Sequence, residues 1–146
     1  ITDKETRKRG WKENFLAQLS YLNGRILEVV DAIIRASDTP PIIIIQADEG
    51  PYPLRFVEAE AKGLPLDWRT QATPDEWRQK MGILNALYLP GIKTRPLHPR
   101  MTPVNTFRIV FNEYFGADFE LLEDRSFTYP DLDHIYDFYE ITDKIK

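Results

Sequence analysis

Two acids and a glycine, Asp48-Glu49-Gly50, follow directly on the run Ile42-Ile43-Ile44-Ile45-Gln46-Ala47. Carboxylate oxygens suit hard or borderline divalent cations, and an Asp at the end of a strand is well placed to hold one. Neighbouring residues of an extended strand point to opposite faces, so Asp48 and Glu49 can meet one ligand only if the backbone turns, which Gly50 permits. A plainer alternative stands beside this. Asp48 can cap the following turn through backbone amides while Glu49 faces water.

His98 and His134 are the only histidines, which excludes a multi-histidine metal site within the chain. His98 lies between Arg95 and Arg100, a cationic neighbourhood able to attract a phosphate or sulfate group, unless the arginines pair with the abundant acids. The acids Asp131, Asp133, Asp137, Glu140 and Asp143 lack calcium-loop spacing and read as a solvated face. No Gly-rich phosphate loop, nucleophile elbow or zincin helix occurs.

The elements that must position these residues follow from periodicity. Four consecutive isoleucines cannot alternate inside and outside, so 42–45 read as a central strand covered on both faces, as in parallel α/β sheets, whose carboxyl edge is where ligands bind. Upstream, Phe15, Leu19, Leu22, Ile26, Val29, Val30 and Ile33 mark one stripe of a helix over 11–36, stopped by Ser37-Asp38-Thr39-Pro40-Pro41. Together they predict half of a βαβ crossover. Between Gly50 and Thr73 the pattern reads as a long loop. Thr73-Pro74-Asp75-Glu76 predicts a capping box and a short helix through about Lys80, with Trp77 on its buried side. A second strand is expected over 83–89, and a helix after Thr102-Pro103 that buries Val104, Phe107, Val110, Phe111 and Tyr114 and ends at Gly116. Short strands are expected over 125–129 and 138–142.

At 146 residues and 42% apolar composition the chain suits one domain with a real core, and no apolar stretch approaches the ~20 residues needed to span a bilayer. A net charge of −4 without a long basic run argues against nucleic acid as a partner; the arm from Lys4 to Arg9 reads as solvated. The absence of cysteine excludes disulfides and thiolate metal sites. The chain begins at Ile1 and its first Met is Met81, so it is expected to be a piece of a larger protein.

Four segments carry a family resemblance: Gln18-Leu19-Ser20-Tyr21-Leu22-Asn23, Ile42 to Tyr52, Leu84-Asn85-Ala86-Leu87-Tyr88-Leu89-Pro90-Gly91, and Thr102-Pro103-Val104-Asn105-Thr106-Phe107-Arg108. In this order they resemble the C-terminal part of bacterial sulfatase-like membrane proteins of the alkaline-phosphatase superfamily, near the phosphoglycerol transferases that build lipoteichoic acid. The resemblance runs from about Phe15 to Arg125. It implies an α/β fold, a partial alkaline-phosphatase-like sheet with central parallel strands flanked by helices. Residues 1–146 would then be one domain, the C-terminal part of a larger extracytoplasmic domain tied to the cell membrane by segments upstream.

Relatives end the central strand in Asp-His-Gly, whose Asp and His bind a catalytic metal. Here Asp48 matches and Glu49 replaces the histidine, which implies Mn²⁺, Mg²⁺ or Ca²⁺ rather than Zn²⁺. His98 would contribute to the pocket for a phosphate or sulfate ester. The family's nucleophile lies upstream, so no catalytic residue is expected within the chain, and by itself it should be inert. A degenerate, non-catalytic envelope binding or structural domain is the alternative. Uncovered sheet edges would favour self-association of the isolated piece.

Overall fold

The computed structural model describes residues 10–64, 66–92, 97–130 and 132–145. The basic arm Lys4 to Arg9, together with Arg95 and Asp131, lies outside the described residues. The chain divides into two compact units, one up to Ile43 and one from Ile44 onward.

The first unit is built on α1 (Trp11–Ala36), the helix that the apolar stripe predicts. Its end is marked by Ser37, whose hydroxyl donates to the Ile33 carbonyl at 2.7 Å, before the two prolines. None of its residues is buried.

β1 (Ile43–Gln46) leads into the second unit, and its four residues are only half-buried. The isoleucine run is thus a strand, but not one sealed on both faces. Its partner is β2 (Asn85–Tyr88), with a burial pattern that alternates along the strand. Just beyond the end of β1, the Ala47 N–H donates to the carbonyl of Leu84, the residue before β2, at 2.9 Å. The pair is therefore antiparallel, and no parallel strands occur among the described residues. This corrects the expected central parallel sheet, and the reason lies in the connection. The Gly50 N–H donates to the Lys80 carbonyl at 2.7 Å, which returns the chain to the carboxyl end of β1 shortly before β2 begins. A strand that starts where its neighbour stops can only run back along it.

The segment 50–73, expected to be a loop, holds two helices: α2 (Leu54–Ala61) and α3 (Trp68–Gln71). Asp67 caps α3 by accepting the Arg69 N–H at 2.8 Å. Next, α4 (Pro74–Met81) carries the predicted capping box: Thr73 Oγ1 accepts the Glu76 N–H at 3.3 Å, and Glu76 Oε2 accepts the Thr73 N–H at 2.8 Å. Phe56, Trp68, Trp77 and Ile141 form the buried core of these helices and the C-terminal region. Phe56 and Trp68 stack with centroids 3.7 Å apart, and Trp77 is 1% exposed.

A 3₁₀ turn, Pro103–Asn105, opens α5 (Thr106–Phe115), which ends at Gly116 with φ of 67°. The buried face of α5 differs from expectation. Asn105, Thr106, Ile109 and Val110 are buried, whereas Val104, Phe107 and Phe111 are exposed. The polar members turn inward because they are bonded there. Asn105 Nδ2 donates to the Leu122 carbonyl at 2.7 Å, and its Oδ1 accepts the Leu122 N–H at 2.9 Å. Finally β3 (Phe127–Thr128) and β4 (Tyr139–Glu140) pair antiparallel, Phe127 opposite Glu140 and Thr128 opposite Tyr139, close to the expected short strands.

Candidate functional site

An open depression of about 1040 Å³ lies in the second unit, comparable to the upper end of ligand-pocket sizes. It is bounded by the residue after β1 and Ala47, by the segment before and through the start of β2, by 97–104, by 124–127 and by the C-terminal turn. The lining combines Ile83, Leu97, Met101 and Phe127 with the ionisable residues Asp48, His98, Arg100, Asp124 and Arg125.

Polar bonds at the end of β1 hold this arrangement. Gln46 Nε2 donates to Asn85 Oδ1 and to Thr106 Oγ1, both at 2.9 Å, tying β1, β2 and α5 together. Asp48 emerges beyond this knot, exposed, with one carboxylate oxygen accepting the Glu49 N–H at 2.9 Å. The turn-capping alternative thus describes that oxygen, while Asp48 is also one of the residues around the depression.

Glu49 goes elsewhere. Its Oε2 accepts from Lys80 Nζ at 2.8 Å, and that ammonium lies 4.5 Å from the Tyr52 ring centroid and 5.5 Å from that of Trp68. The Lys80 side chain is only 14% exposed, so the cation is largely enclosed between a carboxylate and two aromatic faces. The two acids that the sequence pairs as metal ligands therefore part company. Among the described residues no group of three or more His, Asp or Glu side chains stands together as a metal ion requires. The described residues by themselves do not make up a metal centre.

His98 is better supported by its neighbours. Its Nε2 is 2.8 Å from Asp124 Oδ2, and Asp124 Oδ1 accepts both the Thr102 N–H at 2.6 Å and the Thr102 hydroxyl at 2.8 Å. Burial pushes the Asp124 carboxyl up, but the bonds from Thr102 and His98 outweigh it and hold the group below the usual aspartate range. Arg100 also lines the depression and has no carboxylate partner among the described residues. Arg125, by contrast, is paired with Glu140.

The structure thus places Asp48 and His98 on one depression and leaves Glu49 off it. His134 lies in the 3₁₀ turn Leu132–His134 and is not among the residues of that wall. Sequence reading missed Asp124 and Thr102 as supports of His98. Asp124 is 26 residues from His98 and follows no local pattern, so nothing in the spacing marks it. Comparison with protein-family models, with characterised proteins and with solved structures gives no match for the chain.

Proposed function

We propose that the chain is the C-terminal part of a membrane-anchored, extracytoplasmic sulfatase-like hydrolase or transferase, and that its depression receives a phosphate or sulfate ester. On this reading the strand pair is a remnant or a portion of an alkaline-phosphatase-like sheet, completed by residues upstream that also supply the nucleophile. The observation that carries the reading is that Asp48, His98 and Arg100 line one depression. A guanidinium with an imidazole suits a tetrahedral oxyanion, while the apolar lining suits the body of an ester.

Metal chemistry belongs to this reading only through Asp48, since Glu49 is engaged by Lys80. The residues of this chain would bind and orient the ester.

The Glu49–Lys80 pairing favours a second reading, a non-catalytic envelope domain that binds such a ligand without turning it over. The deciding experiment uses the chain joined to its upstream sequence and assayed with p-nitrophenyl phosphate, p-nitrophenyl sulfate and a glycerol phosphate ester. Turnover lost in His98→Gln and Asp48→Asn supports the first reading. Binding without turnover supports the second, and a protein that neither binds nor cleaves any of these esters contradicts both.

A further inference from the structure

Asp124 can only accept hydrogen bonds as a carboxylate, and Thr102 occupies its Oδ1 with two donors. The remaining oxygen, Oδ2, faces His98 Nε2 at 2.8 Å, so Nε2 must carry a proton for this contact to be attractive. That fixes the ring. Nδ1 is the nitrogen left for a ligand, and among the described residues it has no hydrogen-bond partner. A neutral ring presents a lone pair there, whereas an imidazolium presents an N–H donor.

Two residues further on, Arg100 lines the same depression and has no carboxylate partner among the described residues. An imidazolium donor and a guanidinium fork lining one depression are donor types that phosphate and sulfate oxygens match well. We propose that His98 and Arg100 form an oxyanion subsite in this depression, with Asp124 and Thr102 positioning the imidazole, and that capture of the anion is coupled to uptake of one proton by His98. The proposal rests on the reading of the depression as an ester site.

The other charged groups on the wall set the direction of the coupling. Asp124 and Asp48 are negative and favour the imidazolium; Arg100 disfavours it, and Arg125 does so less because Glu140 balances its charge. A bound anion adds to the first group and offsets Arg100. An anion bound beside the ring favours the imidazolium, so affinity should rise as pH falls and weaken as pH rises. The depressed titration of Asp124 keeps that carboxylate charged throughout this range.

Sulfate is the first probe, because its own charge does not change between mildly acidic and mildly basic pH. The intact chain is titrated with sodium sulfate by calorimetry, in two buffers of different ionisation enthalpy, while the ring nitrogens of His98 are followed by NMR. The expected result is binding roughly tenfold or more tighter at pH ~5.5 than at pH ~8, with net proton uptake of about half a proton or more at intermediate pH. The Nδ1 resonance should move and Nε2 should stay close to its starting position.

His98→Gln should flatten the pH dependence. Arg100→Gln should weaken binding at both pH values and keep the slope. Asp124→Asn should reduce the slope and loosen the Nε2–H preference, a change that a purely structural role for Asp124 would not produce.

Parallel titrations with inorganic phosphate and glycerol phosphate identify which tetrahedral anion is preferred. Sulfate or phosphate binding without proton uptake, or with Nε2 moving instead of Nδ1, would overturn the subsite while leaving the ester reading intact. No binding of any of the three anions would remove both.

Discussion

Gly50 is required by close approach rather than by an unusual torsion. A Cβ built there would lie 2.1 Å from the Gln79 carbonyl oxygen and 2.8 Å from that of Lys80, both backbone atoms that cannot swing aside. Gly50→Ala should therefore destabilise the protein by about 3 kcal/mol or more in urea unfolding, through displacement of the α4 terminus from the end of β1. Gly24, in the middle of α1, has open space at its Cβ position, and Gly24→Ala should instead stabilise α1 by about 0.5–1 kcal/mol. The glycine after the acids was legible in the sequence as a turn residue. Its actual constraint was not, because it comes from a backbone some thirty residues away. Nor was the fate of Glu49 legible: only the fold reveals that Lys80 and two aromatic rings stand beside it. Tyr139 is a further residue whose setting only the fold reveals. Its hydroxyl is buried without a hydrogen-bond partner among the described residues, and burial pushes its pKa up to about 12. Tyr139→Phe should accordingly leave stability unchanged or raise it by up to about 1 kcal/mol in the same unfolding measurement.

The α4 helix shows what local chemistry can specify. Thr73, Pro74 and Glu76 write the cap within four residues, and the structure makes both reciprocal bonds. Thr73→Ala should cost about 1 kcal/mol, read as a lower urea midpoint at unchanged slope. Glu76 also accepts two bonds from Arg55, at 2.9 and 2.7 Å, and the Arg55 bond foremost, with Thr73 adding to it against the opposing effect of burial, draws its pKa from 4.5 to about 2. Because the folded value lies below the unfolded one, this contribution is present above pH 4.5 and fades as pH falls towards 2. Glu76→Gln should narrow the difference in stability between neutral and acidic solution, measured by thermal melts across that window. Where elements depend on distant partners, the sequence was less informative. The α2 helix hides behind Pro51 and Pro53, and α3 has only four residues, too few to display a period. The buried face of α5 was misread because periodicity ranks Phe107 and Phe111 above Asn105 and Thr106. The polar pair is buried through bonds to Leu122 and Gln46, residues that no helical pattern can reveal.

Across the whole molecule, the isoleucine run was legible as a strand, but its direction relative to its neighbour was not. Hydrophobicity reports which residues seek cover; it does not report where the chain returns, and the Gly50–Lys80 bond decides that. Half-burial of β1 and exposure of Phe107, Phe111 and Phe115 leave apolar surface, from which self-association of the isolated chain is an expected outcome. Sedimentation velocity should show a mass that grows with concentration, and Phe107→Gln combined with Phe115→Gln should reduce it. Of the expected site, Asp48 and His98 share a wall, while the support given by Asp124 and Thr102 arises only from folding. The most direct test of the account is amide chemical-shift mapping of the intact chain with glycerol phosphate. The account predicts saturable shifts concentrated at Asp48, at 97–102 and at 124–127, abolished together by His98→Gln and Arg100→Gln. Shifts confined to another surface, or none at concentrations that saturate ordinary phosphate sites, would contradict it.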